Sequence, residues 1–97
     1  MRYIAVKWLH DDTEEPVLLF SELNDKGWEV RKVEVFRDGL AHFADANQHS
    51  GSTELGLMPV PPLNEIAADP QFQAHEITRE EFEKVWQDAL RQKKISI

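Results

Sequence analysis

The chain has 97 residues with 18 acids against 11 bases, a formal net charge of -7, and no cysteine. That length holds one hydrophobic core. The charge argues against a nucleic-acid partner, whose phosphates require Lys and Arg, and the missing thiols exclude disulfides and thiolate metal sites. Met1-Arg2-Tyr3-Ile4-Ala5-Val6-Lys7-Trp8 is charged at positions 2 and 7 and lacks the apolar stretch of a signal peptide. No segment approaches the roughly 20 apolar residues of a membrane helix. A cytoplasmic address without membrane contact is therefore expected.

Arg2 to Leu9 alternates, with Ile4, Val6 and Trp8 on one face and Tyr3, Ala5, Lys7 and Leu9 on the other, and reads as the first strand. His10 to Pro16 is polar and acidic and should be an exposed connection. Val17 to Leu23 is apolar on both faces, which places it centrally in a sheet. Asn24-Asp25-Lys26-Gly27 is turn chemistry leading into a third strand, Trp28 to Phe36. Its phase is uneven: Trp28 and Val30 share one face, Val33 and Val35 the other, so either a bulge lies near Arg31-Lys32 or both faces are covered. A two-residue Asp38-Gly39 loop would pair Val35 with His42. A three-residue loop with Gly39 as a bulge instead aligns Val33 and Val35 with Ala41 and Phe43, giving the cleaner apolar face, and is preferred.

Ala44 to Pro62 carries two glycines and three prolines among polar residues and reads mainly as loop. Leu63 to Ala68 reads as a short helix stopped by Asp69-Pro70. Thr78-Arg79-Glu80-Glu81 is a capping box, with Ile77 and Phe82 as a hydrophobic staple. Phe82, Val85, Trp86, Ala89, Leu90 and Lys93 follow as one apolar stripe. Glu80, Glu81 and Glu83 near the start, with Arg91, Lys93 and Lys94 near the end, suit the helix dipole. Ile95-Ser96-Ile97 alternates and is a candidate terminal strand. Together these elements predict a single α+β domain over residues 1–97, an antiparallel sheet of about four strands with a short helix and a packed C-terminal amphipathic helix.

Chemistry-bearing motifs are sparse. His10-Asp11-Asp12 offers metal-ligand types without a second spaced cluster, and a solvated acidic turn is the better reading. His42 and His49 lack partners at ligand spacing. Gly51-Ser52-Thr53-Glu54-Leu55-Gly56 superficially resembles a phosphate loop but has no following Lys and runs into proline. No nucleophile motif or dinucleotide fingerprint is present, so no catalytic residue, cofactor or metal is expected. Trp8, Trp28 and Trp86 read as core, with Trp28, at a strand start, the one suited to anchor an interface.

Val6-Lys7-Trp8-Leu9-His10-Asp11, Glu15 to Leu23, Trp28 to Phe36, Asp69-Pro70-Gln71-Phe72 and the Ile77-Thr78 to Trp86 helix start together resemble a family of small bacterial single-domain proteins described only as a domain of unknown function. That resemblance spans nearly the whole chain and implies no activity. In size and charge alone the chain is also similar to bacterial immunity proteins, which bind and block a cognate nuclease toxin. The bases are clustered: Lys7 to Lys26 encloses six acids and no base, as does Arg37 to Arg79. An acidic surface of this kind attracts a basic protein partner. The expected function is a non-enzymatic binding protein, an immunity protein for a basic toxin domain, with Asp11, Asp12, Glu14, Glu15, Trp28, Asp45 and Glu54 as candidate contacts. The alternatives are a structural or regulatory module that self-associates as a homodimer and, third, a small metal-dependent enzyme built on His10, Asp11 and Asp12.

Overall fold

The alternation at the N-terminus and the doubly apolar second run form the centre of the sheet. In the computed structural model, which describes residues 1–96, β1 (Arg2–Trp8), β2 (Leu18–Leu23), β3 (Glu29–Val35), β4 (Ala41–Ala44) and β5 (Phe72–Glu76) form one sheet. The order is β4-β3-β2-β1-β5, antiparallel throughout. Two helices complete the fold, α1 (Leu63–Ala67) and α2 (Arg79–Leu90). The sheet thus has five strands rather than the expected four. The addition is β5, whose residues Phe72-Gln73-Ala74-His75-Glu76 pair with β1. Of the candidate terminal strand, Ile95 and Ser96 lie outside any strand, and Ile97 lies outside the described residues.

The uneven phase of β3 has a definite cause. Glu22 faces Arg31 and Leu23 faces Glu29, so Val30 is an extra residue and the ladder is bulged there. The bulge turns Glu29 and Arg31 to opposite faces. At the next turn Gly39 adopts φ 88°, and Val35 lies opposite Ala41 and Val33 opposite Phe43, the register of the three-residue loop.

The two faces are covered differently. On the helix face, Tyr3, Val33, Val35, Phe82, Trp86 and Ala89 form a buried cluster, flanked by Leu18, Phe20, Phe43 and Ile77. The Thr78 hydroxyl accepts from the Glu81 amide while the Glu81 carboxylate accepts from the Thr78 amide, satisfying two donors that a helix start leaves free. α2 ends at Leu90, short of Lys93, and Gln92 enters the left-handed region at φ 58°. There Lys93 N–H donates to Asp88 O and Gln92 N–H to Ala89 O, closing the last turn. Arg91 is the cap and no basic residue lies in the last turn, so the expected dipole pairing at this end is not made within the helix. The opposite face buries Ile4, Val6 and Leu23 beneath Leu19, Val60, Leu63, Ile66 and Phe72. It is roofed by the 50–62 segment and α1, and is called the loop face below.

Candidate functional site

Polar side chains attach the roof to the loop face. Glu29, turned there by the bulge, accepts from Ser21 Oγ at 2.9 Å and from the Gly56 amide at 2.7 Å. The Thr53 hydroxyl, on a residue 1 % exposed, donates to Glu34. Lys32 Nζ donates to the Glu54 carbonyl at 3.2 Å and lies between Glu29 and Glu34. Gly51, at φ 57°, packs so closely that a Cβ there would stand 2.9 Å from the His42 ring. Every buried polar group named here has a partner, as the low dielectric of such a position requires.

Two features follow from this roof. Under it, Ile4, Val6, Leu19, Val60, Ile66 and Phe72 line an apolar cleft of about 460 Å³, within the range of small-ligand pockets. At its tip, between Gly56 and Pro59, Leu57 and Met58 are 90 % and 76 % exposed. The tip lies beside the β2–β3 turn, where Val60 N–H donates to Gly27 O and Gly56 to Glu29. Trp28, 38 % exposed, stands between those two anchor points in sequence. Three large apolar side chains are thus presented to solvent at one end of the sheet.

The candidate contacts do not form one patch. Asp11, Asp12, Glu14 and Glu15 lie on the exposed β1–β2 connection. Trp28 precedes β3 and Asp45 follows β4, both at the opposite end of the sheet according to the strand register. Glu54 is exposed on the loop-face roof. Asp45 accepts from the Asn47 and Gln48 amides, and the first of these bonds chiefly holds its carboxyl below the usual range. Its local role is therefore to brace a turn. His10 is braced as well: its Nε2 is 2.8 Å from Pro16 O and its Nδ1 accepts from the Asp12 amide, which fixes the Nε2-protonated form. Among the described residues no three His, Cys, Asp or Glu side chains converge as a metal site. None of Asp11, Asp12, Glu14 and Glu15 forms an ion pair among the described residues.

The charged group on the helix face is of a different kind. Arg31 donates to both oxygens of Glu22 at 2.7 and 3.0 Å. Its guanidinium lies 4.9 Å from the Phe82 ring centre and 5.1 Å from that of Trp86, and it pairs with Glu83 at 2.6 Å. The Arg31 bonds hold the Glu22 carboxyl below its ordinary value, and burial, helped by the bond to Glu22, raises the Tyr3 hydroxyl. The cluster is closed by aromatic rings and ties β2, β3 and α2 together.

With this geometry established, comparison with known proteins gives one match, to the domain of unknown function DUF6881 over residues 2–91. The chain belongs to the DUF6881 family. The matched span of this family takes in all five strands and both helices. No curated protein and no solved structure matches the chain. Among the described residues, no helix is long and apolar enough to cross a membrane.

Sequence reasoning named Trp28 and Glu54 as candidates and did not consider Leu57 and Met58. The signal was available: these two are adjacent large apolar residues between Gly56 and Pro59, in a segment rich in turn-forming and polar residues.

Proposed function

We propose that this DUF6881 protein is a non-enzymatic binding protein whose partner is a basic protein domain, most concretely that it is an immunity protein neutralising a nuclease-type toxin. The observation that carries this reading is the exposed tip: Leu57 at 90 % and Met58 at 76 %, beside Trp28. Burying a large apolar side chain is worth about 1.5–3 kcal/mol, and this chain forgoes that gain at consecutive positions on an anchored loop. Interfaces draw most of their energy from a few such apolar anchors, surrounded by a polar rim that contributes register and steering. Asp25 and Glu54 are the exposed acids nearest in sequence to the tip, and the net charge of -7 attracts a basic domain from a distance. The unpaired Asp11, Asp12, Glu14 and Glu15, at the far end of the sheet, supply steering and a phosphate-like surface rather than anchoring.

The test is co-expression of the tagged chain with the product of the gene adjacent to its own, together with a growth assay of that gene alone. A stable complex that rescues growth supports the reading, and Leu57→Ser with Met58→Ser should weaken it by roughly 30-fold, the loss of one strong anchor. The absence of both toxicity and a complex would overturn it.

A further inference from the structure

The two edges of the sheet are finished differently. On β4, Phe43 turns its backbone outward, and both groups are satisfied by Ser50: the Phe43 amide donates to Ser50 Oγ at 2.9 Å, and its carbonyl accepts from the Ser50 amide at 2.8 Å. A bridge from Ala44 to His49 extends this cover. On β5 nothing comparable exists among the described residues. Leu9 N–H donates to Gln71 O, and Ile77 N–H to Tyr3 O. Because hydrogen-bonded pairs alternate along an antiparallel ladder, Gln73 and His75 also direct their backbone groups to β1. Phe72, Ala74 and Glu76 therefore turn theirs away from the sheet. The Phe72 amide is taken by Asp69 O. The Phe72 carbonyl and both groups of Ala74 and Glu76 are left facing outward. α2 packs over β1 to β4 rather than over β5, whose helix neighbour is α1.

We infer that β5 pairs antiparallel with β5 of a second copy, about a two-fold axis at Ala74, joining two sheets into one of ten strands. The free groups are self-complementary in this register. Ala74 exchanges both its bonds with Ala74 of the second copy, and each Glu76 amide meets the Phe72 carbonyl of the other chain. The Phe72 amide, held by Asp69 O, does not donate to the Glu76 carbonyl of the second copy, which stays with solvent, so four bonds join the two strands. The methyl side chain of Ala74 leaves the axis uncrowded. On the helix face each Gln73 lies opposite His75 of the second copy, a pair able to hydrogen-bond side chain to side chain. An arbitrary extended peptide would fill the same edge without this symmetry, and five residues of pairing set the contact at the weak end of interfaces.

The chain's lack of cysteine makes the register directly readable. Ala74→Cys brings two thiols together across the axis at a Cα separation of about 5.5 Å, within disulfide reach. His75→Cys faces Gln73 of the second copy, and its own equivalent lies diagonally beyond about 7 Å. Under mild oxidation the first variant should cross-link as a dimer and the second should not. Sedimentation equilibrium of the unmodified chain, from low micromolar to millimolar, should show a reversible monomer–dimer system. Ala74→Pro removes only outward donors, which an edge strand tolerates, and should weaken association by roughly 30-fold while the circular dichroism spectrum is kept. A monomer throughout that range, or equal cross-linking at both positions, would overturn the inference. So would a dimer unaffected by Ala74→Pro, because it would have formed elsewhere.

Discussion

The helix face and the loop face of the same sheet solve the burial problem in opposite ways. On the helix face, a 12-residue helix with both ends satisfied lays Phe82, Trp86 and Ala89 on Val33 and Val35, and the Arg31 guanidinium that pairs with Glu22 and Glu83 lies against two of its aromatic rings. On the loop face, a five-residue helix without a side-chain cap and an irregular segment cover the sheet, the segment fastened by Glu29, Glu34 and Lys32. The first arrangement gains its stability from packing and the second from a few directed bonds. The lesson is one of division: one face holds the fold, leaving the other free to present Leu57 and Met58 to solvent.

The largest effect that would break this contrast concerns the core. Phe82→Ala should cost about 3–5 kcal/mol in urea unfolding, enough to unfold much of a marginal domain, whereas Ile66→Ala on the loop face should cost about 1 kcal/mol because its site is already partly open to water. Equal losses would mean that both faces are packed alike.

Next comes Arg31→Met, which leaves Glu22 buried without its partner and should cost about 3–5 kcal/mol, partly restored by adding Glu22→Gln. The same pair sets a pH dependence. The folded carboxyl of Glu22 lies below its unfolded value, so between the two values the unfolded chain binds the additional proton. Its contribution is complete above the ordinary carboxylate range and is lost as pH falls through the folded value. Glu22→Gln should therefore flatten the fall in melting temperature on acidification.

A smaller effect sharpens the other half of the comparison. Thr53→Val leaves Glu34 short of a donor and should cost about 1–2 kcal/mol. Its signature is spatial: amide exchange should quicken across residues 50–60 while β2 and β3 remain protected. Smallest of all, Leu57→Ser with Met58→Ser should stay within about 0.5 kcal/mol of the parent stability, since neither side chain is packed.

How much of this was legible depended on whether the signal was local. The capping box, the Ile77–Phe82 staple and the stripe through Trp86 are short-range patterns, and α2 follows them closely. The central placement of β2 followed from its two apolar faces. β5 was missed because Phe72 to Glu76 has one large apolar residue and an exposed edge, so its strand character comes from pairing with β1 rather than from its own sequence. The exposed tip was missed for a related reason, since exposure is a property of the assembled roof. The acidic candidates were picked by charge alone, and charge does not say which end of a sheet a loop occupies.

The bulge at Val30 also says where this strand can change length. Removing that residue leaves Leu23 opposite Glu29 and Glu22 opposite Arg31, so every remaining side chain keeps its face. Removing Val33 instead would turn one side of the strand inside out, exchanging buried valine for Glu34. Single-residue deletions among DUF6881 sequences in this strand are accordingly expected at the bulge and nowhere else along it.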